Sequence, residues 1–418
     1  MKTFLRLSLV TLLFGIGTFA VVGSTFTADV KCGIDNLIDT DFALLKGKRV
    51  VLVTHAAARA RSGRSTAEEF MLRKDIRLVR ILAPEHGYYG VVSAGETVHS
   101  DTLGGTPVVS LYGALRRPDS SMLSDADVVV IDMQDIGVRS YTYISTMTEV
   151  MEACALFSRP LIVLDRPNPL GGTVVDGNLP DPALRSFIGR LPIPYVHGCT
   201  MGELATMTNE EGWLAKGAGG QPRRCSLTVV RLKRWKRSMS WEETGLPWYP
   251  TSPNIPTVHA VRGYAVTGLT GELGPVSIGI GTASPFTVIG APTLAFDTIL
   301  VRRLARYGVI AQAARYNPAV GKFARQVCTG YYLAFSMNDD VKPFRAALAL
   351  LSVLHRSQPA LFPDSLASSR QAGMFNKAVG SSAILPLILS DGSWTDIEAL
   401  AVAGLQDFLK RREKYLLY

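Results

Sequence analysis

Arg80-Ile81-Leu82-Ala83-Pro84-Glu85-His86-Gly87-Tyr88-Tyr89-Gly90 is the stretch from which the fold is read. The largely apolar run from Ile76 to Ala83 has the length and β-branched content of a buried strand. It stops at a proline followed by an acid, an imidazole and a glycine. In an open α/β sheet the ligand crevice lies outside the carboxyl ends of the strands, so Glu85 and His86 stand where a site is expected. Polar residues at a strand end also serve as turn and cap residues, and the neighbouring strands decide between the two readings.

Working outward, Val50-Val51-Leu52-Val53 ends at Thr54 and His55, and Val128-Val129-Val130-Ile131 ends at Asp132-Met133-Gln134-Asp135. Leu161-Ile162-Val163-Leu164 ends at Asp165-Arg166, and a further short strand is expected from Pro107 to Leu111. A helix capped by Ser65 and a second from Tyr141 to Phe157 separate these runs. Such strand, helix, strand order predicts an α/β fold with a Rossmann-like, doubly wound parallel sheet. Parallel strands point the same way, so four polar strand ends meet at one edge and read as a functional cleft. The turn from Ala56 to Gly63 lacks the G-x-G-x-x-G pattern, so no dinucleotide is expected, and no other cofactor or resident metal is called for.

From Asp176 to Pro194 the chain is rich in proline and loop residues, which places a domain boundary there: 25–190 form the first domain and 191–418 an α+β second domain. Thr200-Met201-Gly202-Glu203 is a capping box, so Glu203 is read as a helix cap. The proline-dense segment from Thr244 to Thr257 is read as a stiff loop presenting Trp248, Tyr249 and Asn254 to a sugar. A glycine-rich stretch from Leu269 to Thr282 follows. Helices are expected over Leu294 to Tyr307, Phe344 to His355 and Thr395 to Lys410, with a strand near Tyr331 to Phe335.

Composition bounds the function. The 418 residues are 47% hydrophobic and 19% charged, which excludes a disordered chain. Met1 to Arg6 is basic, Leu7 to Val22 is apolar, and Val22-Gly23-Ser24 suits cleavage, so residues 1–24 are read as a signal peptide, with an uncleaved anchor as the rival. The mature protein is then periplasmic or secreted, without stable membrane insertion. The formal charge is +9, or 42 − 35 = +7 once Lys2 and Arg6 leave with residues 1–24, a modest excess that favours anionic partners such as cell-wall polymers or lipid head groups, and the scattered basic residues show no nucleic-acid pattern. Five cysteines without a C-x-x-C pair are read as buried thiols.

Several ordered motifs carry a resemblance. They are Pro84-Glu85-His86-Gly87, Ser110-Leu111-Tyr112-Gly113, Asp132-Met133-Gln134-Asp135-Ile136-Gly137-Val138-Arg139, Tyr141-Thr142-Tyr143-Ile144, Leu164 to Gly172, His197-Gly198, Gly202-Glu203-Leu204, Ser252-Pro253-Asn254 and the terminal Lys414-Tyr415-Leu416-Leu417-Tyr418. From about Gly33 to the C-terminus the sequence resembles the exo-β-N-acetylmuramidase family, glycoside hydrolases that remove N-acetylmuramic acid from non-reducing ends of peptidoglycan fragments. The resemblance implies a Rossmann-like domain, a C-terminal auxiliary domain, an active cleft between them, and a catalytic role for Glu85. Ile280 stands where the family usually has arginine, His55 where it has asparagine, and Tyr88-Tyr89 where an arginine is common.

Glycoside hydrolysis needs an acid that protonates the leaving oxygen and, in most families, a second carboxylate. An acid must stay protonated near neutral pH, which desolvation favours, so Glu85 at the end of a buried strand is the expected acid. Asp132 is the expected second carboxylate, and His86 the group that orients one of them. His55, Gln134, Arg139, Tyr143, Asp165, Arg166, Asn168 and Asn254 are the expected substrate contacts, with Arg139 or Arg166 meeting the lactyl carboxylate of muramic acid. Two rivals stand beside this reading: a non-catalytic glycan-binding protein, and a metal-assisted hydrolase using Asp132, Asp135 and His86 as ligands.

Overall fold

The structure is a computed structural model that describes residues 29–96, 101–335 and 340–418. The expected signal peptide, residues 1–24, lies outside the described residues.

Among the described residues ten strands form two sheets. The first is built from β1 (Arg49–Thr54), β2 (Arg77–Ala83), β3 (Asp101–Leu103), β4 (Thr106–Ser110), β5 (Val128–Asp132), β6 (Leu161–Leu164) and β7 (Leu227–Val230), in the order β3-β4-β2-β1-β5-β6-β7. Every pairing in it is parallel except that of the short edge strand β3 with β4. The second is a three-stranded antiparallel sheet of β8 (Val288–Ala291), β9 (Val309–Tyr316) and β10 (Cys328–Phe335), in the order β8-β10-β9.

The continuous apolar runs of the first sheet are explained by burial on both faces. Val51, Val53, Leu82, Val129, Ile131 and Val163 enter one core, with the helices Tyr143–Leu156 and Met201–Glu210. Val50, Leu52, Ile81, Val130 and Leu164 enter the opposite core, with the helices Gly33–Asp39 and Thr66–Met71. The first of these cores does not stop at the sheet. It runs on through Val261, Ala265 and Leu269 of the helix Val258–Leu273 to Phe344, Leu348 and Phe375, so both halves of the chain share one apolar interior.

Two expectations differ from the structure, and one stretch without an expected element proves helical at its start. The parallel sheet takes its last strand from Leu227–Val230, so the α/β unit runs well past residue 190. The start of the glycine-rich stretch is helical, as the end of Val258–Leu273: Gly263 and Gly268 lower helix propensity, and tertiary packing overrides it. The helix expected over Thr395 to Lys410 is two helices, Trp394–Ala401 and Leu405–Arg412, broken at Gly404, whose φ of 75° no continuing helix accepts.

Candidate active site

The site is built at the end of β2. After Pro84 the chain reverses through His86 and Gly87, both left-handed with φ of 70° and 75°. That conformation is costly for an imidazole residue and natural for glycine. The turn is held by a double tie: His86 Nδ1 donates to the Val92 carbonyl at 2.8 Å, and Val92 N–H donates back to the His86 carbonyl at 3.2 Å. Because a carbonyl only accepts, Nδ1 carries a proton in this contact.

This folded loop delivers Gly95 N–H to Glu85 Oε1 at 3.0 Å, and Thr142 Oγ1 donates to Oε2 at 2.6 Å. Tyr112, two residues beyond β4, is the third polar neighbour. Its phenol is pushed up to about 12 by burial and then by the negative charge of Glu85, so it stays neutral beside the carboxylate. Glu85 is only 6% exposed, yet it forms part of the wall of an open cleft of about 470 Å³. That volume is in the range of small-molecule sites.

Both halves of the chain contribute walls. From the first come Glu85, His86, Tyr112, Arg116, the run Ser140 to Thr142, Phe187, Ser252 and Asn254. From the second come Tyr264 and Glu272 of the helix Val258–Leu273, then Phe286, Met374 and Lys377. The arrangement can hold a polar ring between aromatic walls, present carboxylates to it, and meet an anion with Arg116 and Lys377.

Of the residues singled out by sequence, Glu85, His86 and Asn254 line this cleft. The others form the interior of the sheet edge. The order of the strands reverses between β1 and β5, the position at which an open sheet usually leaves its crevice. Here that position is filled. Arg166 donates through Nε and Nη2 to both oxygens of Asp132, and Thr66 Oγ1 donates to the same carboxylate. Asp132 is fully buried and Arg166 nearly so, and they pair with each other rather than line the cleft.

The remaining corrections have the same cause: each polar group already has an internal partner. His55 accepts the Gln134 N–H at Nε2, and burial followed by the charge of Arg166 drives its imidazole down to about 3, so it is neutral. The Gln134 amide donates to the carbonyls of Asp135 and Pro167, and Tyr143 donates to the Thr251 carbonyl. Arg139 donates to four carbonyls, those of Asn178, Ile193, Ala378 and Val379, and so clamps the second half to the first. Asp165 accepts from Thr200, Gly202 N–H and the C-terminal Tyr418, and Asn168 donates to the Cys199 carbonyl. Asp135 accepts from Gly137 N–H, so Asp132, Asp135 and His86 do not converge as metal ligands. No grouping of three potential ligands occurs among the described residues.

The loop aromatics also turn inward. Trp248 meets the Trp241 ring edge-on at 5.1 Å and donates to the Ile255 carbonyl, while Tyr249 lies under the Arg59 guanidinium. Sequence reading missed Tyr112, Arg116, Phe187, Tyr264, Glu272 and Lys377. One signal was available: Glu272 is the lone acid between Glu243 and Asp297, near the end of a helix with no other acid.

Comparison with known proteins agrees with this architecture. The family profile described as "Exo-beta-N-acetylmuramidase NamZ, N-terminal" matches residues 50–259, and its C-terminal counterpart matches residues 262–418. The peptidoglycan β-N-acetylmuramidase NamZ of Bacillus subtilis is 37% identical over 393 residues, covering 93% of this chain and 91% of that protein. Crystal structures of two DUF1343 family proteins from Bacteroides fragilis superpose with TM-scores of 0.84 and 0.72, at 34% and 28% identity. Each covers 94% of this chain and 99% of its own.

Proposed function

The chain belongs to the exo-β-N-acetylmuramidase family, and we propose that its glycosidase chemistry takes place in the cleft at the end of β2. It is a glycosidase that releases N-acetylmuramic acid from non-reducing ends of peptidoglycan fragments. The observation that carries the choice of site is Glu85, a carboxylate held by Gly95 N–H and Thr142 Oγ1 on the wall of a cleft to which both family segments contribute.

Arg116 and Lys377 line that cleft and have no carboxylate partner among the described residues. The Arg116 guanidinium lies 4.5 Å from the Phe187 ring centroid and 5.7 Å from that of Tyr112, which holds it without neutralising it. These two cations are the groups we assign to the lactyl carboxylate that distinguishes muramic acid from glucosamine. The departures from the family pattern fall elsewhere. Ile280 packs on the shared core, Tyr88 donates to Ser65, and Tyr89 points to solvent. We further propose that the chain is exported by its N-terminal segment and acts outside the cytoplasm without a membrane span. Among the described residues no helix is long and apolar enough to cross one.

The test is release of free sugar from a defined N-acetylmuramic acid–N-acetylglucosamine disaccharide. The wild type is expected to liberate both sugars, and Glu85→Gln to lose more than about 10²-fold in turnover with unchanged circular dichroism. A Glu85→Gln protein as active as wild type would remove Glu85 from the chemistry, and an inactive wild type that still binds the disaccharide would make this a glycan-binding protein.

A further inference from the structure

The cleft holds a second acid that the hydrolytic reading has not used. Glu272 is the penultimate residue of the helix Val258–Leu273, and it forms part of the same cavity wall as Glu85. Among the described residues it makes no hydrogen bond and no ion pair. The two carboxyl groups therefore have opposite surroundings. Glu85 has a donor on each oxygen, from Gly95 N–H and Thr142 Oγ1, which is how a protein holds a negative charge in place. Glu272 sits at the negative end of its helix, where a carboxylate is disfavoured, and the phenols of Tyr195 and Tyr264 lie near it. Burial, and then the charge of Glu85, push its carboxyl above the usual range.

We propose that Glu272 is the acid that protonates the leaving glycosidic oxygen, and that Glu85 is the carboxylate acting at the anomeric carbon. This assignment rests on the glycosidase reading of the cleft. A carboxyl left without a donor, facing the same cavity as a carboxylate that has a donor on each oxygen, is the arrangement expected of an acid and its charged partner. The step balances without an outside reagent. The bond from the anomeric carbon to the bridging oxygen breaks, its electron pair stays on that oxygen, and the proton of Glu272 goes to it. Water then supplies hydroxide to the anomeric carbon, and the remaining proton restores the Glu272 carboxyl. Glu85 changes roles relative to the sequence expectation: it stabilises the positive charge that develops at the anomeric carbon rather than donating a proton.

The experiment separates proton donation from binding by the leaving group. The disaccharide leaves as an alkoxide and needs a proton, whereas a nitrophenyl β-N-acetylmuramide leaves as a stable phenolate and does not. Glu272→Gln is expected to lose about 10²- to 10⁴-fold in kcat/KM on the disaccharide but less than about tenfold on the nitrophenyl muramide. Glu85→Gln is expected to lose heavily on both. Equal losses of Glu272→Gln on the two substrates would reduce Glu272 to a binding group, and full activity on the disaccharide would exclude it altogether. If the glutamine variant does not fold, Glu272→Asp carries the same comparison, since a shortened acid should again fail selectively on the poor leaving group. A wild type inactive on both substrates would refute the glycosidase reading itself, whereas an active wild type with equal losses would refute only the role of Glu272.

Discussion

Asp132→Asn separates a structural carboxylate from a catalytic one. Asp132 ends β5 fully buried, takes two hydrogen bonds from Arg166, one of them at 2.9 Å, and one from Thr66. An asparagine keeps one acceptor oxygen and turns an N–H₂ toward either the guanidinium or the Thr66 hydroxyl. At least one charge-assisted bond is lost, worth about 1.5–3 kcal/mol, and the guanidinium is left buried without a counter-charge. Breaking such a pair costs about 3–5 kcal/mol in all, a large part of the roughly 5–15 kcal/mol that holds a domain together. In urea that is a fall of more than about 1 M in the unfolding midpoint, followed by circular dichroism and tryptophan fluorescence. Turnover of the disaccharide by the protein that remains folded should stay within about threefold of wild type, because no transition-state contact has been removed. The double replacement Asp132→Leu, Arg166→Met should recover most of the lost stability, since a buried pair exchanged for apolar groups of similar volume is often neutral or better. An unfolding midpoint equal to that of wild type together with a 10²-fold loss of turnover would refute the structural assignment and return Asp132 to the chemistry.

Two further outcomes follow from the site and its surroundings. Replacing Arg116 and Lys377 together by alanine should raise KM for muramides by about tenfold or more, the value of one charge-assisted contact. It should leave any residual cleavage of the matching glucosaminide, which lacks the lactyl group, unchanged; an equal effect on both sugars would show that the cations do not read the carboxylate. Asp165 is driven up to about 6 by burial, against the bonds from Tyr418, Thr200 and Gly202 that favour its charge. Its folded state therefore holds a proton that the unfolded chain releases near pH 4, so its contribution to stability is present below that pH and is lost as pH rises toward 6. Asp165→Asn should flatten that part of the stability profile between pH 4 and 6, measured as the difference from wild type, and an unchanged slope would show that Asp165 does not titrate in that window.

Much of the architecture was legible locally. Strands β1, β5 and β6 carry continuous apolar runs because both faces of a parallel sheet are covered, and the capping box at Thr200 to Glu203 is present with both its hydrogen bonds. The place of Glu85 on the cleft wall was legible too, as the acid just past a largely apolar strand. The helix Val258–Leu273 was not, because its glycines hide a helix that only packing against Phe344 and Phe375 makes stable.

What the sequence determined by itself is which strands exist, how they alternate with helices, and that polar residues collect at their carboxyl ends. Which of those residues line the cleft was decided only by the tertiary structure. A buried charge must find a partner, and that partner can be far along the chain: Asp132 finds Arg166, Arg139 finds the carbonyls of Ala378 and Val379, and Asp165 finds Tyr418. Of these, the Arg139 and Asp165 contacts hold the two halves together, while Glu85, Glu272, Arg116 and Lys377 face the space left between the halves. No local pattern distinguishes the two sets, because the difference lies in contacts made across the fold.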